Sequence, residues 1–496
     1  MLTPHPDRLI PPEPVLDIAC DRGYVTADID PARRRAADLP DTLGDPPSRV
    51  RSDRASNPNS EAGAIRGVDA AMGAGEAVRS SPRGSPPGWR AHLGSARRFG
   101  LAAILGMWLC VVVVSVVGGA GSVDLLQLQA VARRLAAGAP LYLDLSGARF
   151  IPGYVDLFYG PPALAVASLP LTWFDAETVR RFTVALGLAM VLGSVVAIVG
   201  GPPRRPGWHR NAFGFDRWPN AAAAVAGALL SYAVLRAVTL GATSTLLLLL
   251  LAITWLGLAR RSDTLVSLAL GSAIAFRIYP AALILPLVLA GRWRGAGGAL
   301  ACAVSWCLLG AFAAGPNATS QYLGLLVALS GVVVGAGNAA PGGALVALGV
   351  AEPLLAVEHV VVLATGTALL VLGGFALGHP DPGAAVARVP PWRSPAGCAW
   401  SRFAAIGSSG RDVRLLGWGL AIAGMLLASP IVWDHYLTAL LILTAGMAAV
   451  SSRAAWYLAA ILFVPGSAAA VALVGLPMAG SLMLLRRLRR VRNSPG

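Results

Sequence analysis

The 496-residue chain contains no lysine; all 40 of its basic residues are arginine. Together with the bias to Ala, Gly and Pro, this reflects a high-GC codon economy more than a chemical demand. Charge of either sign is scarce. Only 13% of residues are charged, against about 25% in soluble chains, which excludes an ordinary soluble enzyme. The five cysteines are dispersed, and neither a CxxC pair nor a Cys/His ligand spacing occurs. A disulfide framework and a structural zinc site are therefore not indicated. The start of the chain has no apolar core of the kind a cleavable signal peptide carries, so targeting is expected from the first spanning helix. There is also no basic patch interleaved with aromatics, so nucleic acid is not an expected partner.

What the chain has in excess is apolar sequence: 55% of its residues are hydrophobic, gathered in long blocks. That pattern predicts an all-α polytopic membrane protein. The blocks begin at 101–120 and run to 454–485, where a helical hairpin is expected to break near Pro465-Gly466, and they add up to about eleven or twelve spans. Residues 1–98, rich in Pro, Gly, Ser, Asp and Arg, hold 14 Arg against 13 acidic residues and read as a disordered cytoplasmic tail. Residues 99–492 form the membrane domain.

Arginine placement orients the helices. With the tail inside, 101–120 leads out. The Pro-bracketed segment 161–171 is too short to cross and dips in from outside, and 178–200 returns. Beyond the tail, 19 Arg then lie inside and 7 outside or at outer helix ends, while the acids divide 4 to 8. The non-helical mass outside comprises two long loops, 121–177 and 315–352, a length that usually signals function. Within the first, Asp124 opens a helix running to Ala137. Leu125, Leu128, Ala132 and Leu135 share one face, as in a helix lying along the membrane surface.

Several polar residues fall at the same outer level. Asp124 stands where the first spanning helix emerges, as a packing-helix residue or as a catalytic acid. Arg277, at the outer end of 264–278, breaks the charge bias. An arginine in lipid costs about 2.5–3.5 kcal/mol, so it either snorkels to the interface or meets an anionic partner such as a ligand phosphate or a carboxylate. In Trp433-Asp434-His435-Tyr436, Asp434 reads as a helix cap, and His435 beside it is open to a hydrogen-bonding or acid–base role. Asn338 lies in a glycine-rich stretch that would also form a plain backbone turn. Asn317-Ala318-Thr319 matches a glycosylation sequon.

In their order these residues resemble glycosyltransferase family 87, over about residues 100–460. The landmarks are Asp124, a short helix and Gly138-Ala139-Pro140-Leu141-Tyr142; Phe158-Tyr159-Gly160-Pro161-Pro162 with Pro170; Gly241-Ala242-Thr243-Ser244; Arg260-Arg261; Arg277-Ile278-Tyr279-Pro280; Arg292-Trp293-Arg294; Gly337-Asn338; and Ser429 to His435. The family more often carries Lys where Arg277 stands. Gly160, Ala242 and Ala339-Ala340 interrupt its other patterns.

The resemblance implies a GT-C-like bundle and an inverting enzyme of the plasma membrane with its site on the extracytoplasmic side. It would take a sugar from a polyprenyl-phosphate donor to a cell-envelope glycolipid or glycan acceptor, with no cofactor and no metal. Asp124 and His435 would be catalytic; Arg277, Tyr279, Tyr159, Asn338 and Asp434 would bind substrate. Mannose, in α-(1→2) linkage, is the sugar the resemblance implies, with arabinofuranose as the alternative. A transporter or glycolipid flippase, using Glu358 and His359 as an embedded pair, is the rival from another class, and a catalytically inactive scaffold is a third reading.

Overall fold

The computed structural model describes residues 103–104, 106–114, 117, 122–142, 158–199, 229–330, 340–342, 345, 350, 352–378, 410–429, 431–450 and 469–492. The expected tail 1–98, the break near Pro465-Gly466, Asn338 and much of the glycine-rich stretch around it lie outside these residues. So does the Asp434 side chain.

Every regular element among the described residues is a helix, and no β-strand occurs. In chain order the α-helices are α1 (Val123–Ala136), α2 (Pro162–Ala167), α3 (Ala176–Val199), α4 (Tyr232–Leu240), α5 (Thr243–Arg260), α6 (Asp263–Phe276), α7 (Ile284–Leu289), α8 (Trp293–Ala314), α9 (Pro316–Ser330), α10 (Glu352–Leu377), α11 (Gly410–Leu427), α12 (Leu441–Val450) and α13 (Ala469–Arg492). Short 3-10 helices occupy Leu169–Trp173, Tyr279–Leu283 and Asp434–Leu440. Among the described residues, four stretches, Ala176–Ile198, Thr243–Arg260, Trp293–Ala314 and Pro353–Leu377, are long and apolar enough to cross a membrane. Each has at least 18 residues, or about 27 Å of helix at 1.5 Å per residue. The fold class is that of an all-α polytopic membrane protein. The expected eleven or twelve spans include blocks that fall partly outside the described residues.

Small residues and indoles hold the bundle together. A Cβ on Gly373 of α10 would stand 2.6 Å from the Gly417 carbonyl oxygen of α11, and one on Gly366 would stand 2.8 Å from that of Gly424. Such close approach suits helices in lipid, where van der Waals packing replaces the hydrophobic drive. Buried indole N–H groups satisfy carbonyls across helices: Trp255 donates to Ile198 at 3.2 Å, Trp418 to Leu251 at 3.2 Å and Trp108 to Leu229 at 3.0 Å.

The structure differs from the sequence expectation in five places. The segment 315–352, expected as non-helical, carries helix α9 over Pro316–Ser330. Gly315, at φ 83°, stops α8, and Pro316 starts a new helix at the position where its missing N–H costs nothing. Helix α6 ends at Phe276, not at 278, because the Pro280 ring would collide with the Phe276 carbonyl and offers it no N–H. The block 280–291 becomes a 3-10 turn and a six-residue helix, and 435–450 opens with the Asp434–Leu440 turn before α12. Finally, the apolar face of α1 is turned into protein: Leu128, Val131 and Ala132 join a cluster with Phe158, Leu164, Phe276 and Tyr322. Its buried Gln129 donates to the Leu171 and Phe174 carbonyls at 3.0 and 2.8 Å, tying α1 to the Leu169–Trp173 turn.

Candidate active site

The turn between α4 and α5 sets the frame. Gly241 closes α4 in the left-handed region at φ 67°, where glycine carries no steric penalty. A Cβ there would lie 2.7 Å from Thr183 Cγ2 and 2.9 Å from Leu125 Cβ, so glycine also makes room for the first turn of α1. Two residues before Asp124, Ser122 takes φ 88°, one of two positive-φ non-glycine positions among the described residues. Its N–H donates to the Thr239 carbonyl at 2.9 Å, and its buried hydroxyl has no hydrogen-bond partner among the described residues. The start of α1, and with it Asp124, is thus pinned to the end of α4.

Thr243, the first residue of α5, receives a short hydrogen bond from Arg277 Nη2. Arg277 follows α6 in extended conformation, φ −150° and ψ 121°, which swings its side chain free of the helix. Its Nη1 donates to the Tyr436 hydroxyl at 2.8 Å, and its guanidinium carbon stands 5.3 Å from the Tyr436 ring centroid, within cation–π range. Tyr436 is buried, stacks on Tyr279 at 5.8 Å and meets His435 edge-on at 4.8 Å.

The described hydrogen-bond partners of the guanidinium carry no charge. Both of its hydrogen-bond acceptors are neutral hydroxyls, and among the described residues it makes no ion pair within 4.0 Å. It also sits at the N-terminal end of α5, where the helix dipole is positive and a cation is disfavoured. The Asp124 carboxylate lies within electrostatic reach of both Arg277 and Tyr436. Of the five guanidinium N–H groups, the two hydroxyls engage one each on Nη1 and Nη2.

Asp124, Arg277, Tyr279 and His435 therefore share one neighbourhood. The backbone of Asp434 begins the 3-10 turn that carries His435 and Tyr436. Trp433, not Asp434, stands at its N-cap position, so the expected capping place is shifted by one residue. Tyr159 belongs to the adjoining aromatic cluster: Tyr142 stacks on Phe158 at 5.7 Å and on Tyr322 at 6.3 Å, and Tyr159 packs beside them. Phe276 joins that cluster while Tyr279 packs on the main core, which leaves Arg277 between the two. Burial pushes the Tyr142 and Tyr159 phenols up, so both remain protonated donors at neutral pH. Tyr142 uses its proton on the Gly160 carbonyl at 2.7 Å. A Cβ at Gly160 would lie 2.8 Å from both Phe158 and Leu164, which accounts for glycine between Tyr159 and Pro161.

Residues 158–389 match the model of glycosyltransferase family 87. The chain is thereby similar to glycosyltransferases over the stretch that holds Tyr159, Thr243, Arg277, Tyr279 and Asn338, whereas Asp124, Asp434, His435 and Tyr436 fall outside it. No curated protein matches the chain. Within the family 87 stretch, the cation and one of its two braces are present; the carboxylate and the other brace come from the flanking sequence. Thr243, Tyr322 and Tyr436 are the site neighbours that sequence reasoning passed over. Thr243 and Tyr436 stood inside quoted motifs, but a hydroxyl in an apolar helix commonly bonds its own backbone. Only the fold shows which ones turn outward.

Proposed function

We propose that the chain is an inverting glycosyltransferase that transfers a sugar, by preference mannose, from a polyprenyl-phosphate donor to a cell-envelope glycolipid or glycan on the extracytoplasmic face. The observation that carries this reading is a guanidinium held by the neutral hydroxyls of Thr243 and Tyr436 at a helix N-terminus, within electrostatic reach of the Asp124 carboxylate. Such a pair supplies what a single displacement needs. Asp124 accepts the proton of an acceptor hydroxyl as that oxygen attacks the anomeric carbon. The bond from that carbon to the phosphate oxygen breaks, and its electron pair leaves with the polyprenyl phosphate. Arg277 stabilises the charge gathering on the departing phosphate, and its fork suits phosphate oxygens better than an ammonium does. Because the leaving group is already a stable anion, a second, protonated carboxyl is not required as in glycoside hydrolysis. The family 87 similarity supports the class of reaction, and the apolar helices support a lipid-borne donor.

The test uses membranes containing the full chain, offered labelled polyprenyl-phosphate mannose and, separately, polyprenyl-phosphate arabinofuranose. Product mass identifies the donor. Asp124→Asn should abolish transfer at unchanged expression, a loss of at least ~10²-fold, as expected for removing a general base. Undiminished turnover in that variant would remove the mechanism.

A further inference from the structure

We infer that Thr243 and Tyr436 are positioning residues that fix the plane of the Arg277 guanidinium for an anionic phosphate, and that this brace is what calls for arginine at position 277. The inference rests on the reading above, in which Arg277 meets the phosphate of a lipid-linked donor. The geometry that carries it is bilateral. Nη1 is held by the Tyr436 hydroxyl at 2.8 Å and Nη2 by the Thr243 hydroxyl, so the two ends of one planar group are anchored to two elements far apart in sequence. The Tyr436 ring adds a contact at 5.3 Å to the guanidinium carbon. Tyr436 is itself held, by stacking on Tyr279 and by its N–H on the Trp433 carbonyl at 2.8 Å, and Thr243 is held by the first turn of α5.

Neither brace neutralises the cation. A carboxylate in either place would hold the guanidinium as firmly but would consume its charge, whereas a hydroxyl orients it and leaves the charge for a ligand. Among the described residues, the brace engages two of the five N–H groups. A lysine ammonium is a point charge on a flexible stem, and it could not be held in a plane by two opposed hydroxyls. Holding a charged group in a fixed geometry by surrounding contacts is what allows it to act without reorganising when charge develops.

The experiment is a double-mutant cycle on the full chain in lipid nanodiscs, titrated with sugar-free polyprenyl phosphate and read as Kd by tryptophan fluorescence. Tyr436→Phe keeps the ring that stacks on Tyr279, and Thr243→Val keeps the side-chain shape, so both variants are expected to fold. Each should raise Kd about tenfold, equivalent to about 1.4 kcal/mol. In the Arg277→Ala background the same substitutions should change Kd by less than about twofold, because residues acting through Arg277 have nothing left to orient. In the Arg277→Lys background their effect should likewise shrink to about twofold or less. Equal losses with and without Arg277 would show a packing role and overturn the inference. So would wild-type Kd in both single variants while Arg277→Ala binds weakly; that outcome leaves the phosphate role of Arg277 standing. Unchanged Kd in Arg277→Ala itself would instead overturn that role and the brace with it.

Discussion

Replacing Gly241 by alanine should damage the site without touching any residue that would meet substrate. Two costs add. An L-residue in the left-handed region costs about 1–2 kcal/mol, and φ at Gly241 is 67°. The new Cβ would also stand 2.7 Å from Thr183 Cγ2 and 2.9 Å from Leu125 Cβ, an overpacking of the kind that costs about 1–3 kcal/mol. Together these give about 2–5 kcal/mol of destabilisation. Restoring an ordinary contact of 3.4 Å from 2.9 Å requires Leu125 to yield by about half an ångström, and Leu125 is the residue after Asp124. Since a misplacement of about 1 Å can cost about 10²-fold in rate, half of that should cost roughly tenfold in sugar transfer. The two effects can be separated. Thr183→Ser removes the methyl group but keeps the hydroxyl, which donates to the Val179 carbonyl at 2.8 Å. Gly241→Ala/Thr183→Ser should therefore regain part of the thermal stability in detergent while its turnover stays low, because the contact with Leu125 persists. If Gly241→Ala shows wild-type melting and wild-type turnover, the coupling of the α4–α5 turn to Asp124 is refuted. If the double variant recovers turnover together with stability, the loss came from unfolding and not from displacement of the carboxylate.

Gly373→Val should force α10 and α11 apart, since a Cβ there would lie 2.6 Å from the Gly417 carbonyl oxygen. A loss of about 1–3 kcal/mol, measured as a lower melting temperature with the rank order Ala above Val, checks it. Asp175 caps the start of α3: Thr178 donates to its carboxylate through the backbone N–H at 2.7 Å and through the hydroxyl at 3.0 Å. The backbone bond, then the hydroxyl bond, hold the carboxyl below the usual range. A group whose folded pKa is depressed stabilises above its unfolded value, about 3.9 for Asp, and loses that contribution as pH falls through the folded value. The gap in melting temperature between the wild type and Asp175→Ala should therefore be constant above about pH 5 and close on acidification below about pH 4. A gap that persists or widens in acid would exclude the capping role.

The parts of this molecule that were legible in its sequence are those in which one residue type carries the signal. Arg277 drew notice because the expected orientation puts it on the side that holds 7 of the 26 arginines beyond the tail. Asp124 showed itself by position, at the emergence of an apolar block. The helical class followed from block length alone. Helix α9 was hidden because Pro316–Ser330 falls between the apolar blocks, although a proline directly after a glycine stop is equally the start of a helix. The 3-10 turns at Tyr279–Leu283 and Asp434–Leu440 escaped a 3.6-residue pattern, being too short to display any period. The braces on Arg277 could not be read from sequence because their chemistry is ordinary. A threonine opening a helix and a tyrosine in an aromatic run gain a role only when residues 34 and 159 positions away arrive beside them.

The five residues from Thr239 to Thr243 show how a carboxylate outside the family 87 stretch and a cation inside it keep one spacing. The Thr239 carbonyl receives the Ser122 N–H, Gly241 admits Leu125, and the Thr243 hydroxyl receives Arg277, which reaches onward to Tyr436. Three regions of chain thus refer to a single turn, and the positions of acid and cation are set by the same backbone. The side chains of that turn must be small where α1 approaches and hydroxylated where the guanidinium arrives, which Gly241-Ala242-Thr243 provides. A glutamine at 242 would add polar groups where the present Ala242 is 2% exposed. Those groups would need partners of their own or remain buried and unsatisfied. Ala242 therefore suits this closely packed turn better than a buried amide without partners would.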